Sequence, residues 1–304
     1  MNVIRNAATR PLHTARRQLR VPRLLQASVR FTHAKADIVD LDYEVQIPKD
    51  GNKTDKALVI LHGLFGNKKN WSSLAKAFCK DLGRPVYSLD LRNHGSSPHA
   101  MPMTYDTLAA DVLHFCQAHL LQDVSLIGHS MGGKTAMAAA LSPQLPEGLL
   151  KHLVVVDIAP SKGSLSTEFQ TYIDTMSEIE MSGVTSRKEA DEMLKPHEAD
   201  PMVRAFLLTN MVVKHHRPQF RVPLNMISDS IADLGTFPYN PGERSWAGPS
   251  LFVKGTKSKY INQHNIPTAK EFFPNMKLVE LEAGHWVQAE RPHEIKQEIL
   301  EFIS

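Results

Sequence analysis

Cysteine is scarce in this 304-residue chain: there are two, Cys79 and Cys116, each inside an apolar, helix-like segment. That excludes a disulfide scaffold and points to two buried core thiols in a reducing compartment. No apolar run reaches the roughly 18 residues of a membrane-spanning helix, so no membrane span is expected. No group of Cys, His, Asp and Glu has metal-ligand spacing. The nearest approach, Asp90 with His94, lacks further partners, and neither a metal nor a cofactor is expected. Internal repeats are absent, and nothing in the sequence bears on oligomeric state. Two further gaps are local, for acidic residues are missing from positions 1–36 and again from Arg244 to Lys270.

The first gap coincides with Arg5, Arg10, Arg16, Arg17, Arg20, Arg23, Arg30 and Lys35, with hydroxyl residues, and with Leu and Val spaced for one face of a helix. Basic, amphipathic and free of acids, residues 1–36 read as a mitochondrial transit peptide, processed near Arg30-Phe31, and the matrix is the expected destination. A nucleic-acid-binding arm would be richer in lysine and would lack the apolar face. The formal charge of the whole chain is +3, from 35 basic and 32 acidic residues. Without the 8 basic residues of the leader, 27 remain against 32 acids, a charge near −5, and no nucleic-acid partner is expected.

What is present is a 42% hydrophobic composition arranged as short apolar runs alternating with helical patterns. The runs Ala57–Leu61, Pro85–Leu89, Val124–Ile127, Leu153–Val156, Leu251–Lys254 and Lys277–Leu281 lack the alternation of a half-exposed strand. They fit strands buried on both faces of a parallel sheet. Residues 37–47 alternate as an edge strand would. Helices are expected over Trp71–Cys79, over Thr104–Leu121 with Thr104 as N-cap, and over Pro292–Ile303. From 161 to 248 the rhythm stops, and Glu168–Glu180, Ser186–Leu194 and Pro201–Lys214 read as helices of an inserted cap. Lys214–Arg217 would be a solvated helix end. Met176, Met181, Met193, Met202 and Met211 would mostly fill space between these helices, with some free to line a pocket. The domain reading is a transit peptide at 1–36, a core at 37–160 and 249–304, and a helical cap at 161–248. The fold class is α/β, a mostly parallel doubly wound sheet.

Chemistry concentrates at strand ends. Gly128-His129-Ser130-Met131-Gly132 stands between an apolar run and an Ala-rich helical run, the context of a nucleophile elbow: the glycines remove the Cβ atoms that would collide around a strained serine. His62-Gly63-Leu64-Phe65-Gly66 follows a buried strand as an oxyanion loop would, because backbone N–H groups approach a substrate oxygen only where side chains are small. His285, in a glycine-containing loop after the last strand, is placed to serve as base. A serine hydroxyl needs such a base, and the base needs an acid to hold its tautomer. The second acid-free stretch now matters, because no acid follows the strand Leu251–Lys254, the last before that of His285, and Ser258 stands there instead. Asp157, at the end of the preceding strand, is the best replacement, with Asp229 and Asp233 the other possibilities.

Together with Asp90-Leu91-Arg92-Asn93-His94-Gly95, Gly133-Lys134, Val156-Asp157-Ile158-Ala159-Pro160 and Gly284-His285-Trp286, these motifs make residues 40–304 resemble an α/β-hydrolase group. It contains bacterial small-ester esterases, animal mitochondrial hydrolases of domain type 11 and ethanol acetyltransferases. The resemblance implies the α/β-hydrolase fold and an acyl-enzyme on Ser130, with His285 as base and Asp157 as acid. It also implies an oxyanion hole from the Met131 and Leu64 amides, with Phe65 the alternative to Leu64. The expected substrate is a small ester or an acyl-CoA, used by a serine esterase or thioesterase. The competing readings are an alcohol acetyltransferase joining acetyl-CoA and ethanol, and a non-catalytic binding protein.

Overall fold

The computed structural model describes residues 38–304, apart from 53 and 216. The expected transit peptide and its processing point lie outside the described residues. Strands β1 (Tyr43–Gln46), β2 (Lys56–Leu61), β3 (Val86–Leu89), β4 (Gln122–His129) and β5 (Leu150–Val156) come first in the chain. A separate hairpin of β6 (Met211–Lys214) and β7 (Arg217–Phe220) follows, then β8 (Ser250–Gly255) and β9 (Met276–Leu281). Seven of them form one sheet in the order β1-β3-β2-β4-β5-β8-β9. Only β1 runs antiparallel, at the edge beside β3, and the other pairings are parallel.

The uninterrupted apolar runs are explained by burial on both faces. Along β2, Leu58 and Ile60 belong to one core and Val59 and Leu61 to the other. Along β5, Val154 and Val156 face opposite to Leu153 and Val155. Alternate side chains of a strand point to opposite faces, so a strand covered on both sides shows no alternation in its sequence. One core is closed by α1 (Ser72–Leu82), through Leu74, Ala75, Phe78 and Cys79, together with the C-terminal helix, through Ile295, Ile299 and Ile303. The other is closed by α2 (Tyr105–Ala118) and α3 (Met131–Leu141). Thr104 caps α2 in a capping box with Thr107, satisfying amides that the first helical turn leaves open. Every residue of α3 is buried, and its alanines keep it thin enough to lie between α2 and the sheet. Both cysteines are free and buried, and burial pushes the Cys116 thiol up to about 12.

Between β5 and β8 lie α4 (Thr167–Ser182), α5 (Arg187–Leu194), α6 (Pro201–Leu207), the β6–β7 hairpin and α7 (Leu224–Gly235). The segment is therefore not wholly helical, which corrects the expectation for Pro201–Lys214. The helix stops at Leu207, and Met211–Lys214 pairs with Arg217–Phe220 instead. Burial alternates along β7, with Pro218 and Phe220 inside and Arg217 and Gln219 outside, whereas in β6 only Met211 is buried and β-branched Val212 and Val213 supply the strand preference. Lys214 and Arg217 pair across the two strands of the hairpin and do not end a helix. The methionines divide as well: Met176 and Met211 are buried, whereas Met181 and Met202 are 79% and 59% exposed. The chain closes with α8 (Ile266–Phe272), α9 (Val287–Glu290) and α10 (Pro292–Ile303).

Candidate active site

Ser130 joins β4 to α3 with φ 53° and ψ −119°, a left-handed backbone that a residue with a Cβ adopts only under constraint. Its glycines show the reason they are needed. A Cβ on Gly128 would lie 2.2 Å from the Gly132 carbonyl oxygen, and one on Gly132 would lie 2.4 Å from the His62 carbonyl oxygen. The Ser130 amide donates to the Val156 carbonyl at 3.0 Å, tying the turn to the end of β5. Positive φ recurs in non-glycine residues at the same end of the sheet, at Phe65, Asn93 and Asp157.

His285, in the loop after β9, lies with Nε2 3.0 Å from Ser130 Oγ and Nδ1 2.7 Å from Asp157 Oδ2. Asp157 is fully buried, and its Oδ1 accepts the Gly255 amide at 3.0 Å. The carboxylate is thus held from both sides, by the Gly255 amide and the His285 imidazole. Asp229 and Asp233 stand on the exposed side of α7 and make no bond to His285. The position after β8 where an acid was missing carries Ser258, whose hydroxyl accepts the Tyr260 amide at 3.3 Å.

The loop after β2 is braced by two buried imidazoles. His94 Nδ1–H donates to the Arg92 carbonyl at 2.9 Å, so its Nε2 accepts the Phe65 amide at 3.1 Å. His62 Nδ1–H donates to the Gly63 carbonyl at 2.8 Å, and its Nε2 accepts the Leu91 amide at 3.0 Å. Burial brings His62 down to about 4 and His94 to about 3, so both rings are neutral at physiological pH. Asn210 of the inserted segment donates to the Phe65 carbonyl at 2.6 Å. Of the amides named from the sequence, Phe65's is therefore engaged, while Leu64 and Met131 line the cavity beside Ser130. Asp90 accepts the Lys68 and Ser96 amides at 2.6 and 2.8 Å and pairs with the Lys68 ammonium. It holds loops together, and no group of metal-ligating side chains occurs among the described residues.

Sequence reasoning missed three supports of His285. The Tyr260 ring packs 4.2 Å from it, centroid to centroid. His129, inside the elbow, donates from Nε2 to the His285 carbonyl at 2.9 Å. Trp286 anchors the loop against Phe206 at 4.4 Å. The cavity next to Ser130 has a volume of about 510 Å³. Met131, Ile158, Leu165, Phe169 and Leu234 supply its apolar wall. Met176, Met181, Met193, Met202 and Met211, the methionines singled out from the sequence, are not among its lining residues.

A strained serine above the carboxyl edge of a parallel sheet, with a histidine after the last strand and an acid after β5, has the build of an α/β hydrolase. The family model for the alpha/beta hydrolase fold matches residues 56–292, and the chain belongs to that family of enzymes. The sn-1-specific diacylglycerol lipase ABHD11 of Xenopus tropicalis is 42% identical over 281 residues, covering 90% of this chain and 84% of the relative. A probable alcohol acetyltransferase of Saccharomyces cerevisiae is 38% identical over 290 residues, covering 87% and 83%. The solved structure of a marine microorganism esterase superposes with a TM-score of 0.78 at 35% identity, covering 87% of this chain and 99% of that one. Among the described residues no helix is long and apolar enough to cross a membrane.

Proposed function

We propose that this chain is a serine hydrolase that cleaves a carboxylic ester or acyl thioester through an acyl-enzyme on Ser130. The observation that carries this reading is the unbroken hydrogen-bond chain from Asp157 Oδ2 through the His285 ring to Ser130 Oγ. With Nδ1–H donated to Asp157, Nε2 is the basic nitrogen facing the hydroxyl. As Oγ bonds to the substrate carbonyl carbon, its proton passes to Nε2 and the carbonyl oxygen becomes an oxyanion. The amides of Leu64 and Met131 are its donors, since that of Phe65 is engaged by His94. Loss of one such donor costs about 2.7–4 kcal/mol of barrier. Collapse breaks the C–O or C–S bond, the imidazolium protonates the leaving alcohol or thiol, and a water deprotonated by Nε2 then releases the acid. No cofactor enters these steps.

A fluorophosphonate probe should label the purified protein on Ser130 and leave Ser130→Ala unlabelled. Equal labelling of the two, or none of either, would sink the reading. The yeast relative named as a probable alcohol acetyltransferase supports a second reading, in which an alcohol such as ethanol takes the place of water and acetyl-CoA donates the acyl group. Incubation with both substrates, scored as ethyl acetate against acetate, separates them: no ester product removes the transferase. We also infer from its basic, acid-free composition that the 1–36 segment directs the chain to the mitochondrial matrix. A chain lacking it should fail to enter isolated mitochondria.

A further inference from the structure

The wall of the cavity beside Ser130 carries a buried cation without a carboxylate. Lys134 follows Ser130 by four residues in the first turn of α3, where its amide donates to the Ser130 carbonyl at 3.0 Å, and both residues line the cavity. Its Nζ donates to the carbonyl oxygens of Gly235 at 3.2 Å and Thr236 at 2.8 Å, and stands 5.4 Å from the Tyr105 ring centroid. An ammonium has three donors, and those two carbonyls use two of them. Among the described residues no carboxylate pairs with it, although its residue is only 5% exposed. Burial accordingly pushes its pKa down to about 8, the mark of a charge poorly compensated by its surroundings.

A lysine serving only to cap the end of α7 would need neither burial nor a place on the cavity wall. Lys134 has both, and it lines the same cavity as Ser130 and His285. The rest of that wall has the same sign: Lys257 and Lys259 also line it, against a single acid, Glu168. Lys257 is paired with Glu282 at 3.4 Å, so an anion entering this space meets chiefly Lys259 at the rim and the buried Lys134 within.

We propose that Lys134 binds a carboxylate of the substrate lying a few bonds from the scissile carbonyl. The site then takes half-esters or half-thioesters of short dicarboxylic acids, or acyl esters of short hydroxy acids. This rests on the serine-hydrolase reading above and refines which ester that site accepts. The hydrogen bonds it donates to the Gly235 and Thr236 carbonyls fix the ammonium, and its remaining N–H and its charge are what the carboxylate meets, in a charge-assisted contact.

The test compares charged esters with neutral isosteres on the full chain. Monomethyl succinate, glutarate and adipate, and 3-acetoxypropionate, are each set against the ester with an isopropyl group in place of the carboxylate, followed by pH-stat at pH 7. Wild type should favour at least one charged series by tenfold or more in kcat/KM. Lys134→Met should lower that charged-to-neutral ratio by tenfold or more, and Lys134→Arg should restore most of it. A wild type that cleaves every neutral isostere as well as its charged partner overturns the proposal, whether or not Lys134→Met folds. So does a ratio unchanged in a folded Lys134→Met. Fluorophosphonate labelling on the same samples separates the two failures. A labelled enzyme without charge preference refutes only the role of Lys134, and an unlabelled one refutes the hydrolase reading and this proposal together.

Discussion

Replacing Asp157 by asparagine tests the site with almost no change of shape. In the wild type, Oδ1 accepts the Gly255 amide at 3.0 Å and Oδ2 accepts His285 Nδ1–H at 2.7 Å. A carboxylate can accept on both sides, but a carboxamide has one acceptor and one donor end. The Gly255 N–H is a backbone donor and cannot turn away, so it selects the amide oxygen. The NH2 group is then left facing Nδ1, which must become an acceptor, and the ring proton moves to Nε2. That nitrogen can no longer take the Ser130 proton. Inverting the tautomer in a triad of this build costs about 10⁴-fold in turnover, or about 5.4 kcal/mol of barrier. Expected are a kcat on p-nitrophenyl acetate down by that order, an unchanged KM within a few-fold, and a midpoint of thermal unfolding within a few degrees of wild type. Asp229→Asn and Asp233→Asn, on the exposed side of α7, should keep wild-type rates. A folded Asp157→Asn enzyme within tenfold of wild type would refute the reasoning, and a large loss in either α7 variant would move the acid there.

The two neutral imidazoles that brace the loop after β2 should make the fold acid-labile. Unfolded histidine takes up its proton near 6.5, whereas His62 and His94 stay neutral in the fold down to about 4 and about 3. Below 6.5 the unfolded state therefore binds more protons and stability falls with pH, at about 1.4 kcal/mol per unit per ring. From pH 6.5 to 5, with the slope reaching its full value only below the unfolded pKa, the pair removes about 3 kcal/mol, which urea unfolding at the two values would detect; equal midpoints would contradict it. Gly132→Ala puts a Cβ 2.4 Å from the His62 carbonyl oxygen and 2.6 Å from that of Leu61. Neither backbone atom can yield without moving the end of β2, so a loss of about 3 kcal/mol or more is expected in denaturant unfolding, and a stability within 1 kcal/mol of wild type would show that the elbow can relax.

The readable parts of this protein were those set by neighbours in the chain. The apolar runs of β2, β4, β5 and β8 announced burial on two faces, Thr104 announced the start of α2, and the glycines around Ser130 announced the elbow, because periodicity, capping and steric demand act over a few residues. Met211–Lys214, expected as the end of a helix, is instead strand β6. It is four residues long with no alternation in its burial, and its partner strand, which includes Pro218, decides its conformation. The methionines were ambiguous because an apolar, flexible side chain fits a helix interface, a pocket or an exposed surface equally well.

The sequence by itself determined the fold class, the nucleophile's turn and the histidine after the last strand, since each is a local pattern repeated along a regular topology. It left Asp157, Asp229 and Asp233 open as acids, because an acid works by distance to His285, and that distance spans 128 residues of chain. Only the parallel pairing of β5 with β8, which sets the Gly255 amide against Asp157, and the return of the chain after β9 bring the carboxylate to the ring. The same holds for Lys134, an ordinary residue within an Ala-rich helix until α7 folds over it, and for His94, whose importance lies in the amide of Phe65 across the loop. Interactions between distant segments depend on packing, and packing is written into no single stretch of the sequence.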